Sequence, residues 1–477
     1  MPEVQEFAMP ATTSANLAVD GGRVVRGGAP FTARVPGDKS VTHRALLAAM
    51  LPGAPDTVTI RNANLGGAVR ALLPAMRALG LAVETDGTAA GGGVLTVRRG
   101  AAPVPQPRRE HHGVTGWPQD VPYLQTEGSS AAARLLVGLL AGTGTRAVVD
   151  GDEVLRHRPM EWLVEPLVAL GADIRHLGDP GRLPVLVESP VHRPGTVDLK
   201  VGSAQARSAV VLAAVAARLP VTVRHPVRSR DHTERMLAAF GAGLTELERT
   251  VVCDGGGYTV PPVIDVPGDP SLAAYPLAAH LLWGDGSELR LPDVGLNLTR
   301  LGFFDVLRTA GADIAYADRR LTSGGEPVGT IVARGGLDGV TALDVDEPAL
   351  LHALIDEVPL LAMVAAALPG TSRIGCAAEL RFKETDRLAT TARLGAAFGA
   401  RVDVVDDGLL VRGGAPLTAG PVPAHEDHRL AMAAATLAVS LPGRTTVLGG
   451  GCHRTSFPDF ADVQRAVGAR IHEDTER

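Results

Sequence analysis

Ala78-Leu79-Gly80-Leu81, Ala169-Leu170-Gly171-Ala172 and Ala239-Phe240-Gly241-Ala242 are three copies of one phrase. It returns as Thr309-Ala310-Gly311-Ala312, Ala397-Phe398-Gly399-Ala400 and Ala466-Val467-Gly468-Ala469. Each copy ends a helical stretch and opens a β-prone run. A helix stopped by glycine in the left-handed conformation, with the chain turning directly into a strand, leaves this signature. One copy is common in α/β proteins. Six copies, at gaps of roughly 70 to 90 residues, predict a β/α unit used six times. Three copies precede the turn Pro267-Gly268-Asp269 and three follow it, so the chain divides into two similar halves with a hinge near that turn.

Working outward, residues 37–267 read as an N-terminal lobe, and residues 31–36 plus 268–477 as a C-terminal lobe. The short strand Phe31 to Val35 is placed with the second half, which makes Pro36-Gly37 a second crossing. Two linkers between two lobes permit closure around a ligand. Residues 1–30, rich in Gly, Ala and Thr, read as a loose leader. Residues 101–127, with Pro103, Pro105, Pro107 and the pair His111-His112, show no periodicity and read as an inserted surface loop.

A chain of 477 residues exceeds one ordinary core. Apolar residues make up 45%, charged residues 21% and aromatics 3%, an α/β composition built on Ala, Val and Leu. So few aromatics offer little for stacking bases, and a net charge of −6 argues against a nucleic-acid partner. Cys253, Cys376 and Cys452 are odd in number and far apart, which implies no disulfide framework and fits a reducing cytoplasm. The first fifteen residues lack the apolar core of a signal peptide, and no apolar run reads as long enough to span a bilayer.

Pro36-Gly-Asp-Lys-Ser-Val-Thr-His-Arg44 runs from a turn straight into an Ala/Leu-rich helix. Lys39 and Arg44 therefore sit at a helix N-terminus, where cations are unfavourable unless an anion is shared with the free N–H groups. Glu379-Leu-Arg-Phe-Lys383-Glu384-Thr-Asp-Arg387 and His425-Glu-Asp-His-Arg429 repeat the design in the second half. Each taken alone is equally a surface lattice of ion pairs. Asp356-Glu357 lies inside an apolar run, where an unpaired charge is costly. Leu155-Arg-His-Arg158-Pro, Gly202-Ser203-Ala-Gln205 and Ser229-Arg-Asp-His-Thr-Glu-Arg235 again place hydroxyls and cations before helices. Such termini are equipped to hold phosphates and carboxylates between two lobes.

These motifs, in this order, resemble those of the 5-enolpyruvylshikimate-3-phosphate synthase family, from about residue 31 to 470. The resemblance implies two lobes of three β/α units each, the inside-out α/β barrel of the enolpyruvyl transferases, in a monomeric cytoplasmic enzyme. It implies transfer of the carboxyvinyl group of phosphoenolpyruvate to shikimate 3-phosphate, with release of phosphate. No metal or organic cofactor, no membrane and no nucleic acid is implied. By matching positions, Lys39, Ser130, Arg158, Arg387 and Arg429 would form the donor pocket. Ser40, Arg44, Ser203, Gln205, Ser229 and Lys383 would hold the phosphorylated acceptor. Asp356 would act as base, Glu384 as proton donor and acceptor at the vinyl carbon, and Lys39 at both binding and chemistry.

The resemblance breaks at the donor loop. The family's Asn-Ala-Gly-Thr stands here as Gly128-Ser129-Ser130-Ala131, with Arg134 retained. An acidic pair common in the family is Gly66-Gly67, and a Lys found in many members is Thr455. Three readings follow: a synthase with a divergent donor loop, a specialised enzyme acting on another phosphorylated acceptor, and a non-catalytic anion-binding protein. Retention of Lys39, Asp356 and Glu384 disfavours the third.

Overall fold

All six phrase glycines stop their helices with φ between 82° and 114°, a region where a side chain is strained. The computed structural model describes residues 15–23, 30–87, 92–107, 117–118 and 120–475. After each stop the chain enters a sheet, and six four-stranded sheets result. Every sheet has one construction, a parallel pair at one edge followed by two antiparallel pairings. None closes on itself.

Two edge strands change sides. Phe31–Thr32 runs parallel to Glu288–Gly295, and Val263–Asp265 runs parallel to Thr57–Ala63. The segments between them meet. Gly37 and Gly268 form an antiparallel bridge, Asp38 N–H donates to Pro267 O at 2.8 Å, and Asp269 N–H donates to Pro36 O at 2.9 Å. Two apolar cores flank this crossing, one built from residues 41 to 266, the other from Leu17 to Val35 and Leu272 to Ile471.

Helices fill the interior and sheets lie outside them. In the first core Lys39–Ala48, Ser130–Thr143 and Ala204–Ala216 are buried on nearly every face. They approach closely because small residues line the contact. A Cβ at Gly138 would lie 2.6 Å from Ala209 Cα, and one at Gly142 would lie 2.7 Å from Ala213 Cα. Pro270–Trp283, Val358–Ala366 and His428–Ala438 fill the second core in the same way. Contrary to the reading of the sequence, residues Pro348–Ala366 are long and apolar enough to cross a bilayer. They are 78% buried over their most apolar window, as a core helix is.

Two other expectations are corrected. The leader is not loose throughout, because Ala15–Arg23 is a strand seated between Arg444–Leu448 and Ala469–Thr475. In the other sheets this inner position is filled from within the neighbouring sequence, as Gly93–Arg98 is beside Ala82–Asp86. The sixth sheet fills it from the opposite end of the chain, so no local pattern announces the pairing. The span 101–127 is not wholly a loop either. Tyr123–Gln125 is a strand parallel to Ala147–Asp150 and completes the second sheet. His111-His112 lie outside the described residues.

Leu17 is fully buried in the second core. Leu17→Ala is expected to cost about 2–5 kcal/mol, as deletion of a core leucine does. Urea unfolding should show the loss, and a change below about 0.5 kcal/mol, the range of ordinary surface substitutions, would show the strand to be dispensable.

Candidate active site

The site begins at two helix caps. Asp38 caps Lys39–Ala48, its Oδ1 accepting from Ser40 N at 2.7 Å and Val41 N at 2.9 Å. Asp269 caps Pro270–Trp283, accepting from Ser271 N at 2.9 Å. Lys39 is thereby aimed across the crossing, where its Nζ donates to Ser456 Oγ of the other core at 3.1 Å. Burial and the neighbouring Arg429 lower its pKa. Asn64 Nδ2 adds two bonds at this seam, to Gly37 O at 3.1 Å and Ser456 O at 3.2 Å.

The second core presents its cations to the same space. Asp427 caps His428–Ala438 and also accepts from Arg387 Nε at 2.8 Å. Arg387 Nη2 donates to Glu384 Oε2 at 2.6 Å, and its Nη1 lies 3.6 Å from Asp356 Oδ1. Arg429 is 4% exposed, with Nη2 3.9 Å from Asp356 Oδ2. Its Nε and Nη1 make no hydrogen bond to the described residues, and the carboxylate beside Nη1, Glu357 Oε1, stands 3.9 Å away. Buried guanidinium N–H groups left this way are costly unless an anion takes them.

Two ion pairs reach across from the first core. Arg230 Nη2 donates to Asp356 Oδ2 at 2.7 Å, and Arg158 Nη2 lies 3.9 Å from Glu384 Oε1. Burial would raise the Asp356 carboxyl, but Arg230, Arg429, Arg387 and Lys383 hold it well below the usual range. Partial burial would likewise raise Glu384, yet Arg387, His428 and Arg158 hold it down. Both carboxyls are therefore ionised here. For Glu384 this is opposite to the raised pKa that a proton donor needs.

The sequence-predicted residues fall into three groups. Lys39, Arg158, Arg387, Arg429, Asp356 and Glu384 surround one space. Ser40, Ser203 and Gln205 lie at the first core's helix starts and Ser229 just before one. Arg44 is not at a helix N-terminus as the sequence suggested: it is the sixth residue of Lys39–Ala48, a full turn past Ser40, whose O accepts from its Nη1 at 2.9 Å. Arg44 donates to Thr233 Oγ1 at 2.6 Å and Ser208 Oγ at 2.8 Å, and burial lowers its pKa to about 10. Gln205 Oε1 accepts from Arg134 at 2.7 Å. Ser203 Oγ caps its helix through Ala206 N at 3.3 Å, and Ser229 O accepts from Arg207. Lys383 pairs with Glu379 while still acting on Asp356. Ser130 opens its helix, half-buried, its N–H donating to Gly128 O at 3.1 Å. Sequence reasoning gave no role to Arg230, Asp427, Ser456 or Arg300. The repeated Pro-Gly-Asp at both crossings was the available signal for the capping frame.

Comparison with known proteins decides the family. The sequence profile of EPSP synthase (3-phosphoshikimate 1-carboxyvinyltransferase) matches residues 30–463. The chain belongs to the EPSP synthase family. The 3-phosphoshikimate 1-carboxyvinyltransferase of Pelotomaculum thermopropionicum is 39% identical over 455 residues, 95% of this chain and 99% of that one. That of Granulibacter bethesdensis is 40% identical over 452 residues, 91% and 92% of the two chains. The solved EPSP synthase from Acinetobacter baumannii superposes with a TM-score of 0.78 at 30% identity, covering 97% of this chain and all of that one.

Within the EPSP synthase frame the departures have local explanations. Gly66 faces the second core, where a Cβ would lie 2.8 Å from Thr455 O. The Gly66-Gly67 and Thr455 changes therefore meet at one seam, with backbone against backbone. At Gly128 a Cβ would lie 2.9 Å from Asp152 Oδ2. Asp152 Oδ1 is already engaged, capping Leu155 N at 2.8 Å.

These carboxyls make the fold acid-sensitive. Asp38, Asp356 and Asp427 have folded pKa values below their unfolded values near 4. Their contribution is present above that value and is lost as pH falls through the depressed folded values. Glu357, raised by burial and by Asp356, opposes the trend in part. The urea midpoint of the ligand-free protein should fall between about pH 5 and pH 3, and Asp427→Asn should flatten that fall.

Proposed function

We propose that this protein transfers the carboxyvinyl group of phosphoenolpyruvate to a hydroxyl of shikimate 3-phosphate and releases phosphate. The observation that carries this reading is the convergence of Lys39, Arg158, Arg387 and Arg429 from both cores on one space, with the buried Arg429 N–H groups unbonded among the described residues. A donor bearing phosphate and carboxylate takes those donors in charge-assisted bonds. Ser40, Arg44, Ser203, Gln205 and Ser229 of the first core, with Lys383, bind the phosphorylated acceptor beside it.

In this reading Asp356 takes the proton from the acceptor hydroxyl as that oxygen attacks C2 of the donor, its basicity restored once the bound anions draw off part of the cationic field that holds its pKa down. Glu384 protonates the methylene carbon, giving a tetrahedral adduct. Loss of phosphate, which carries off the proton held by Asp356, and return of a methyl proton to Glu384 restore the double bond and both carboxylates. Glu384 must first gain that proton. A donor anion seated between Arg158 and Arg387 cancels the positive field that holds Glu384 ionised. Donor binding thus raises its pKa toward the working range. Glyphosate, which occupies the donor site in this family, supplies a second probe. The three free cysteines suit a reducing cytoplasm, and a monomer is the expected state.

Phosphate release from phosphoenolpyruvate should depend on shikimate 3-phosphate. No release with any phosphorylated acceptor from folded protein would overturn the reading. Lys39→Ala should cost about 3 kcal/mol or more of transition-state stabilisation with little effect on folding.

Glyphosate should inhibit weakly, since Ser130 adds two heavy atoms where the family carries glycine. Overlap of this kind costs about 1–3 kcal/mol, roughly ten- to a hundred-fold in affinity. Ser130→Gly should recover part of it. Gly128→Asn should recover more only when Asp152 is shortened to Ser, because Asp152 Oδ2 occupies that space. Tight inhibition of the unaltered protein would show that Ser130 points away from the donor.

A further inference from the structure

Of the run Ser229-Arg-Asp-His-Thr-Glu-Arg235, the proposed reaction uses only the beginning. The next residue pair, Asp231-His232, is buried at the boundary between the cores. There it meets Asn297, Arg300 and Glu326 of the second core, each 3% exposed or less. Arg300 Nη1 donates to Asp38 Oδ2 at 2.7 Å, and Nη2 donates to Asp269 Oδ1 at 2.9 Å and Ser271 Oγ at 2.8 Å. One guanidinium therefore joins the caps of the two helices that begin at the crossings. Its Nη1 also lies 3.1 Å from His232 Nε2.

A guanidinium has donors and no acceptor, so His232 Nε2 must present its lone pair. The proton then sits on Nδ1, which donates to Glu326 Oε1 at 2.7 Å. Asn297 Nδ2 closes the network, donating to Asp231 Oδ1 at 2.7 Å and Glu326 Oε2 at 3.2 Å. The next residue, Thr233, carries the same helix start to the acceptor side by accepting from Arg44 Nε at 2.6 Å.

We propose that His232 is a positioning residue. Held as the Nδ1–H tautomer between Glu326 and Arg300, it fixes the guanidinium that clamps Asp38 to Asp269. That clamp sets where Lys39 stands relative to Arg429 and Asp356. His232 touches no substrate in this scheme; it acts through Arg300 and the two caps. The kinetic part rests on the carboxyvinyl-transfer reading, and the tautomer does not.

Two measurements on the full chain test it. Histidine 15N NMR, with His232 assigned by its loss in His232→Gln, should show Nδ1 protonated and Nε2 bare. In the phosphate-release assay His232→Gln should stay within about threefold of wild type, since its amide offers an acceptor to Arg300 and a donor to Glu326. His232→Leu offers neither. It should lose about ten- to a hundred-fold in kcat/KM for phosphoenolpyruvate, the scale of a lost hydrogen bond to a charged group, while KM for the acceptor changes little. Should the leucine variant not fold, Arg300→Lys, which cannot span both caps, should show the same loss. An Nε2-protonated ring, a folded leucine variant with wild-type kinetics, or glutamine no better than leucine each overturns the proposal. A wild-type protein that releases no phosphate would overturn the transfer reading instead, leaving the ring's tautomer to decide for His232.

Discussion

Two Pro-Gly-Asp segments hydrogen-bond to each other at the only places where the two cores exchange chain among the described residues. Each ends in an aspartate that caps a buried helix. The carboxylates would repel at this separation, and Arg300 removes the repulsion by binding both. A buried charge group of this kind is costly unless complete, and removing one member leaves the others unpaired. The geometry of the cleft is therefore set where the polypeptide is most constrained, a few ångströms from Lys39.

From that frame the electrostatics of the cleft follow. Buried helices present their starts to it, so N–H groups and macrodipoles add to the field of the side-chain cations. Arg387 is fully compensated by Asp427 and Glu384, and serves as a fixed wall. Arg429 is held more loosely, with Asp356 and Glu357 each at 3.9 Å, and two of its nitrogens lack hydrogen-bond partners among the described residues. The same field holds Asp356 and Glu384 ionised. A site poised in this way favours an anionic ligand twice: by direct contact with the cations, and by relaxing the field they impose on Glu384.

At two of the departures from the EPSP synthase pattern, Gly66 and Gly128, a neighbouring atom fills the space a side chain would take. Gly66 allows the Thr455 carbonyl to approach its backbone, and Gly128 leaves room for the Asp152 carboxylate. Single reversions toward the family pattern at these positions meet an occupied space. The donor loop is thus a unit with its surroundings.

The sequence by itself determined the six-unit plan, because each unit ends on a local necessity. A helix that must stop and turn into a strand needs a residue tolerant of positive φ, and all six glycines provide it. It also located the ionic motifs, since cations at helix starts are unfavourable without an anion and stand out in an Ala/Leu-rich chain. Only the tertiary structure placed Ala15–Arg23 in the sixth sheet, between two strands that begin at Arg444 and Ala469, at the other end of the chain. Only it paired Arg230 with Asp356, bound Arg387 tightly while leaving two Arg429 nitrogens without hydrogen bonds among the described residues, and showed Glu384 held ionised. Those outcomes depend on distances between residues remote in sequence, and on which charges share a buried space. Periodicity and spacing along one chain carry no information about either.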